Sequence, residues 1–410
     1  MAGQGILTFA SDALKLVYGD LHEQLADKNP ALEFIESSAQ HITQNGKEVV
    51  FDTHIGRNQG IGARGVREAL PVAGAQKYKQ AHLYLKNLYG AIEVDGQLFE
   101  QAADNYNSFI NVVDAEIKGL KRDLTRDLNR QIYGDASGTL GAVKTAVTTA
   151  NATVVFVDAH WIEEGMVVDL LDGTDLVDGT PTVKKAALVV VAVNETTGAV
   201  TFDTTTTAAV GDIIVRASGG ANSFNKELTG LGAIVGSGNS LHGIDGASVS
   251  SWNSTIRTLG TPGTATGSLT EMDLISLVQA VDKKGGDVDV FLASPGVYNA
   301  YWNLLQGMRQ FTNGAGLTGG QRSFTFEALG KPIKFVSDYA APKGTIYALS
   351  SKELVINRKK DWSWMDRDGS MWSRVANTDA YEARLYQYSE IGTYRRNAHA
   401  KLSNITELGA

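Results

Sequence analysis

The chain contains no cysteine, which excludes disulfide scaffolds, zinc–thiolate sites, iron–sulfur clusters and a cysteine nucleophile. Proline is scarce, with 7 in 410 residues, whereas glycine is frequent, with 44. Few positions are therefore stiffened by proline, and many tolerate a positive φ or a close backbone approach. The stability of the protein then has to come from packing and from contacts between chains.

Long apolar runs and an excess of positive charge are also missing. The longest apolar run is 186–193, far short of the roughly 20 residues that cross a bilayer. The N-terminus lacks the basic and apolar regions of a signal peptide. The formal net charge of −8 argues against a protein whose main task is to neutralise nucleic acid phosphates. It does not exclude a protein that lies against DNA, and we expect no membrane partner.

Residues 46–97 have the pattern of a long β-hairpin, with one strand at 48–55 and the other at 80–94. The tip is rich in glycine and in basic residues. Because a two-stranded ribbon is only marginally stable alone in water, it needs a neighbour in the same chain or another. The arginines there suit bidentate pairing with carboxylates of an adjacent subunit. The residues that we expect at this contact are Arg57, Arg64, Arg67, Lys77 and Lys79.

Helical patterns lie on both sides of this hairpin. The first 45 residues resemble an arm, with one short helix ending at Asn29-Pro30 and a second directly after it, too thin to bury itself. The clearest helix is predicted at 108–133, where apolar residues recur at steps of three or four. We expect charged pairs such as Asp127 and Arg130 on its solvent side.

Residues 151–217 contain five β-branched runs separated by turn signals, which predict a small antiparallel barrel or sandwich. Ten acidic and three basic residues give this module a charge of −7, whereas the remainder holds 34 basic and 35 acidic residues. A module with such an excess is expected to face solvent. The runs are 153–157, 166–170, 183–193, 199–202 and 212–215.

From residue 268 the pattern alternates between helices and strands. Ser268 to Glu271 matches a capping box, and Ser294-Pro295 is typical of the start of another helix. Strands are predicted at 288–293, 333–336 and 346–349. This part of the chain has an α/β pattern, and together with the all-β module at 151–217 the fold class of the whole chain is α+β.

Two motifs have an alternative chemical interpretation. Residues 60–65 match G-x-G-x-x-G, which would bind a dinucleotide only between a strand and a helix, with an acid about 20 residues on. Pro71 and Gly74 break any such helix, so a loop tip is favoured. Asp172, Asp175 and Asp178 could bind Ca²⁺, but their spacing does not match an EF-hand. We expect no cofactor, no metal and no catalytic residue.

Three tryptophans near the end of the chain also allow two interpretations. Trp362, Trp364 and Trp372 alternate with polar residues, which favours packing in a sheet or an interface. A stacking platform for nucleic acid is the alternative, and the absence of surrounding basic clusters counts against it.

Several short sequence segments, in this order, carry a family resemblance. They are 227–231, 243–246, Lys331-Pro332-Ile333, 341–349, Asp361-Trp362 and 394–402. With an arm, a Gly/Arg-tipped hairpin, a long helix and an α/β body, the chain resembles the major capsid protein of tailed bacteriophages. This shell fold is shared with herpesviruses. The resemblance covers about the whole chain apart from 151–217, which we interpret as an insertion.

The resemblance implies a division of the chain into six segments. The long helix would be the spine of the peripheral domain, and the C-terminal half would lie near the centre of a ring. The segments are an N-terminal arm at 1–45, an extended hairpin loop at 46–100, the spine helix and peripheral domain at 101–150, the β insertion domain at 151–217, an axial domain with peripheral segments at 218–380, and C-terminal strands at 381–410.

The resemblance also implies a structural protein of the virion and no enzyme. Copies would form hexamers and pentamers of an icosahedral shell around double-stranded DNA, which they would contact without sequence specificity, after assembly in the host cytoplasm. A separate scaffold, a portal and a decoration protein would be its further partners. The rival hypotheses are an α/β enzyme with a nucleotide at residues 60–65 and another virion component, such as a tail or portal protein.

Overall fold

The computed structural model describes residues 30–38, 40–43, 48–96, 106–176, 181–263, 265–306, 324–366 and 369–409. The predicted arm helix before Asn29 and the glycine-rich stretch after residue 311 lie outside these ranges. The chain divides into two compact units, one formed by the segments up to Arg126 and from Ala233, and the other by Asp127–Gly232.

Runs of strands and a few helices follow one another along the chain, as the α+β class predicts. The described helices are α1 Pro30–Ser38, α2 Tyr106–Tyr133, α3 Leu231–Ile234, α4 Glu271–Asp282 and α5 Pro295–Gln306. The strands are β1 Gln40–Thr43, β2 Glu48–Gly56, β3 Lys77–Tyr84, β4 Lys86–Asp95, β5 Thr139–Ala142, β6 Val147–Val155, β7 Val167–Leu171, β8 Val183–Asn194, β9 Ala199–Ala208, β10 Ile213–Ser218, β11 Ala221–Asn222, β12 Ser240–Leu241, β13 Ile244–Asp245, β14 Thr255–Thr258, β15 Val290–Ala293, β16 Phe324–Ala328, β17 Lys331–Ser337, β18 Ile346–Leu349, β19 Leu354–Trp364, β20 Trp372–Arg374, β21 Ala380–Thr393 and β22 Ala400–Ser403.

The larger core of the first unit surrounds a six-stranded sheet in the order β14-β22-β18-β15-β17-β16. All four residues of β15 and all four of β18 are buried. Helices α4 and α5 supply apolar side chains to the same core. Phe335 lies among three rings, stacked on Tyr301 at 4.8 Å and edge-on to Phe291 at 5.7 Å. This sheet is thus covered by its own chain.

Helix α4 begins with a capping box two residues beyond the predicted one. The Thr270 hydroxyl accepts a hydrogen bond from the Asp273 amide, and the Asp273 carboxylate accepts one from the Thr270 amide. Leu269 and Leu274 both enter the core, as a hydrophobic staple requires. The prediction of Ser268 as the cap was therefore wrong, because burial of Leu269 fixes where the helix can begin.

The second strand of the predicted hairpin belongs partly to a different sheet. Strand β3 ends at Tyr84, and β4 pairs along its ten residues with β21 in a sheet of the order β1-β19-β21-β20. The predicted strand 80–94 is therefore divided near Leu85 between two sheets. Only β2 and β3 form the ribbon.

The second unit contains the predicted β module. Its sheet has the order β11-β10-β7-β8-β9-β6, with β5 also paired to β10. Phe156 and Phe202 meet edge-on at 6.4 Å in its core. All five predicted runs contain strands, and β5 adds one that the sequence did not predict, because Thr139–Ala142 is short and contains a glycine.

Two of the acidic side chains proposed as calcium ligands form hydrogen bonds or ion pairs within this unit. Asp172 accepts hydrogen bonds from Thr174 and lies 3.3 Å from the Lys184 ammonium, while Asp175 accepts one from Thr182. Asp178 lies outside the described residues. Within the described ranges, no group of three His, Cys, Asp or Glu residues is arranged to hold a metal.

The charged pair at the end of α2 is buried, contrary to the prediction of a solvent-exposed one. Arg130 is 5% exposed, and its guanidinium lies 3.0 Å from Asp127 and 2.6 Å from Glu227. Burial opposes ionisation of Asp127, but the adjacent charges of Arg130 and Arg216 lower the pKa of this carboxyl below its usual value.

Candidate assembly interface

The ribbon consists of two antiparallel strands in a sheet of their own. Strands β2 and β3 pair from Glu48 opposite Tyr84 to Gly56 opposite Lys77. In the described residues no third strand joins them. Both outer edges therefore carry backbone donors and acceptors that a strand of another chain could meet.

One face of the ribbon packs against the body of its own unit. Leu83 is fully buried, and Phe51 lies edge-on to Tyr394 at 5.0 Å. The His82 amide donates to the His242 carbonyl at 2.9 Å, and the Ser251 hydroxyl donates to the Ile55 carbonyl at 3.0 Å. These contacts attach the base of the ribbon to the body.

The body wall beneath the ribbon is held by Arg396, which is fully buried. Its guanidinium donates to the carbonyl oxygens of Ile234, Asn239 and Ala233 at 2.9 to 3.0 Å. Burial lowers its pKa to about 10. The loop that it braces supplies Leu241 to the small core that contains Trp252.

The opposite face of the ribbon is exposed and rich in aromatic rings. Tyr78 and Tyr84 are 61% and 54% exposed. The His54 and Tyr78 rings lie 5.2 Å apart, and the His82 ring is stacked on Tyr84 at 6.4 Å. Aromatic side chains with this exposure are typical of protein interfaces.

The loop between the strands, residues 57–76, is organised by its own side chains. Asn58 connects its two legs, since its amide nitrogen donates to the Gly74 carbonyl at 2.8 Å and its amide oxygen accepts from Gly60 at 2.6 Å. At the tip, the Arg64 guanidinium donates to the carbonyls of Ala69 and Ala63 at 3.0 Å. The loop therefore has a defined conformation without neighbours.

All five predicted contact residues are exposed on this loop or on the first residues of β3. Arg64 uses its guanidinium within the loop, and Arg67 has a positive φ of 68°. The contact that these residues would make with another subunit stays a prediction.

Sequence reasoning missed the apolar residues of the loop. Val66 is 98% exposed, Val72 87%, Leu70 82% and Ile61 74%. The sequence did contain an indication of this exposure. The four residues follow neither a helical nor a strand period, so no regular helix or strand can direct them together into a core. Exposed apolar side chains this close together mark an interaction site.

The structure contradicts two alternative interpretations. Residues 60–65 lie in an irregular loop that leads into β3 and not into a helix, so the strand–turn–helix context that dinucleotide binding requires is absent there. Trp362, Trp364 and Trp372 are 3 to 7% exposed, which leaves no ring free to stack on a base.

Comparison with solved structures gives the fold. A cyanophage A-1(L) capsid subunit matches with a TM-score of 0.60 and 14% identity over 92% of this chain and 93% of that one. Weaker matches include the capsid of a native GTA particle (TM-score 0.47, 9% identity, 91% and 90% covered) and Mycobacterium phage Bobi (0.43, 11%, 90% and 89%). The fold is that of a phage capsid protein.

The family follows from the sequence. The model of the SU10 major capsid protein family matches residues 99–406, so the chain belongs to that family. It is a structural protein of the virion capsid and not an enzyme. No curated protein matches the chain. None of the helices in the described ranges combines the length and apolar character needed to cross a bilayer.

Proposed function

We propose that this capsid protein forms hexamers and pentamers of an icosahedral shell, in which loop 57–76 of one subunit lies on the next. The exposed apolar residues of the loop carry this proposal. An ordered loop that holds Val66 and Val72 almost fully in water gains free energy when another surface covers them.

The basic residues of the ribbon give this contact its charge. Arg57, Arg67, Lys77 and Lys79 are exposed, so the neighbouring surface is expected to be acidic. Burial of the apolar residues supplies affinity, whereas exposed charges steer the approach and choose the partner.

The further partners are part of the same proposal. Packaged double-stranded DNA lies on the inner face and is contacted without sequence specificity. A separate scaffold, a portal and a decoration protein complete the particle. The β module at 151–217 is an insertion domain that faces solvent, which the compact unit Asp127–Gly232 and its acidic composition support.

Paired valine substitutions test the loop contact. We expect Val66→Ser/Val72→Ser to leave folded, unassembled subunits, because serine removes the apolar surface without disturbing a core. The control is Val157→Ser/Val210→Ser, which changes two valines of similar chemistry that are 67% and 65% exposed elsewhere. Sedimentation velocity and negative-stain images measure the yield of closed shells.

Two outcomes would contradict the proposal. Equal shell yields for both double variants would remove the loop from the interface. Open tubes or single rings of the unaltered protein, in place of closed shells, would indicate a tail or portal component.

A further inference from the structure

The base of the ribbon meets a tight turn of the body. Strands β12 and β13 pair Leu241 with Ile244, so His242 and Gly243 form the two-residue turn between them. Both residues have a positive φ, 52° and 80°, as in the type I′ turns that favour asparagine or aspartate followed by glycine. Histidine is disfavoured in the first position, and a residue kept in such a conformation indicates a functional constraint.

The ring of His242 carries a second local cost. Its Nε2 is buried and has no hydrogen-bond partner within the described residues. A buried polar atom without a partner lowers stability, so packing and not hydrogen bonding keeps the ring in place. The contacts of the ring therefore have to account for its presence.

The ring lies between the ribbon and strand β21. A Cβ atom added to Gly392 of β21 would stand 3.0 Å from Nε2 of His242 and 2.6 Å from Cδ1 of Leu83 in β3. Glycine at position 392 thus leaves the room that both side chains occupy. The His242 ring and the fully buried Leu83 side chain fill the space over Gly392 together.

The backbone of the turn is attached to the same part of β3. The His82 amide donates to the His242 carbonyl at 2.9 Å, and a Cβ atom on Gly243 would lie 3.6 Å from the His82 ring. Both strands that flank the turn carry side chains into the small core that also contains Ala81. Residues 81–83 are thus attached to one turn by a backbone hydrogen bond, ring packing and apolar burial.

We infer that His242 positions the ribbon for assembly, because its ring and its turn set the direction in which β3 leaves the body. The inference rests on the proposed function of loop 57–76. Lys77, at the loop end of β3, is five residues from His82, which is about 17 Å along an extended strand. A change of about 10° in strand direction therefore displaces the loop by about 3 Å. Such a displacement removes apolar contacts, which need heavy atoms within about 4.5 Å.

Hydrogen–deuterium exchange of the full chain, in unassembled subunits, tests this role. His242→Asn removes the ring and retains a residue that suits a positive φ. We expect the amides of residues 77–84 to exchange at least about tenfold faster, because the base of the ribbon opens locally. Exchange in β15 and β18 should stay unchanged.

Leu329→Asn is the matched control. Leu329 and Gly330 form the turn between β16 and β17, with φ of 52° and 74°, and the Leu329 side chain is exposed. The substitution introduces the same residue into the same kind of turn in a different sheet. Exchange at residues 77–84 should then stay within about twofold of that in the unaltered protein.

Gly392→Ala disturbs the same contact from β21. The added methyl group displaces the His242 ring or Leu83, so it should also accelerate exchange at residues 77–84. Its control is Gly119→Ala, because a Cβ atom on Gly119 meets no neighbour within 4 Å. This second pair decides the question if His242→Asn does not fold.

The yield of closed shells is the second measurement. We expect His242→Asn to lower it severalfold and Leu329→Asn to leave it unchanged. Equal exchange at residues 77–84 in these two variants, or faster exchange throughout the chain, would overturn the inference. Normal assembly of His242→Asn would also overturn it if the valine variants fail to assemble. Normal assembly of the valine variants would instead contradict the proposed function, and exchange at residues 77–84 would still decide whether His242 positions the ribbon.

Discussion

The six-stranded sheet and the ribbon belong to the same unit but differ in how far the chain itself completes them. In the sheet, β15 and β18 are buried along their whole length and helices α4 and α5 cover them. In the ribbon, one face packs on the body, whereas the other face is exposed and no third strand of the described residues pairs with either edge. The sheet is covered by contacts within one chain, whereas we propose that another chain covers the ribbon.

The position of apolar surface makes this difference measurable. Phe335 is fully buried, whereas Val66 is almost entirely in water. A substitution at the first site should cost free energy of folding, and one at the second should cost free energy of association. The following predictions test this separation, from the largest expected effect to the smallest.

Phe335→Ala should lower the free energy of unfolding by about 3–5 kcal/mol, because it leaves a cavity among three aromatic rings. Val66→Ala should change it by less than about 0.5 kcal/mol, as is usual for exposed sites. Urea unfolding of unassembled subunits measures both values. Similar losses for the two variants would show that the loop is part of the folded core and would remove the distinction.

Acidification should weaken the body through two buried histidines. Burial, with a smaller effect of a nearby arginine, lowers the pKa of His399 to about 3 and that of His242 to about 4. The Ser350 amide donates to Nδ1 of His399, so Nε2 carries the proton and donates to Thr393. Both rings are therefore neutral in the folded protein.

The sign of the pH effect follows from these values. Below about pH 6.5 the unfolded chain takes up protons that the folded chain does not, so stability decreases as the pH falls towards 4. The slope should approach about 1.4 kcal/mol per pH unit for each histidine. Urea midpoints at pH 7, 6 and 5 measure it. Constant stability over this range would contradict the prediction.

Thr270→Ala should cost about 1 kcal/mol, because it removes the side-chain oxygen that caps α4. Ser268→Ala, at the cap predicted from the sequence, should cost little. Thermal unfolding of the two variants compares them directly. A larger effect at Ser268 would restore the sequence-based position of the helix start.

The elements with a strong local pattern were predictable. The long helix was expected at 108–133 and spans Tyr106–Tyr133, and Pro295 begins α5 as expected. The family resemblance gave the capsid fold, which the solved structures confirm. The domain boundaries and the five basic contact residues remain predictions.

What the sequence could not show depends on distant partners. The chain passes from β3 to β4 without a glycine or proline at Leu85, so the sequence does not mark the break. The strand that pairs with β4 is β21, about 300 residues further on. Arg130 is buried because Glu227, far away in sequence, meets it. Helical periodicity assigns a face to a residue but does not report which segment covers that face.

The place of β22 in its sheet has a kinetic consequence. This strand lies between β14 and β18, and pairs Thr255 with Ala400 across a very long sequence separation. Until residues 400–403 arrive, two neighbouring strands keep open edges that a strand from another copy could occupy. Pairing of β22 therefore competes with contact between newly made copies, so a lower concentration of newly made chains should favour intact particles over aggregates.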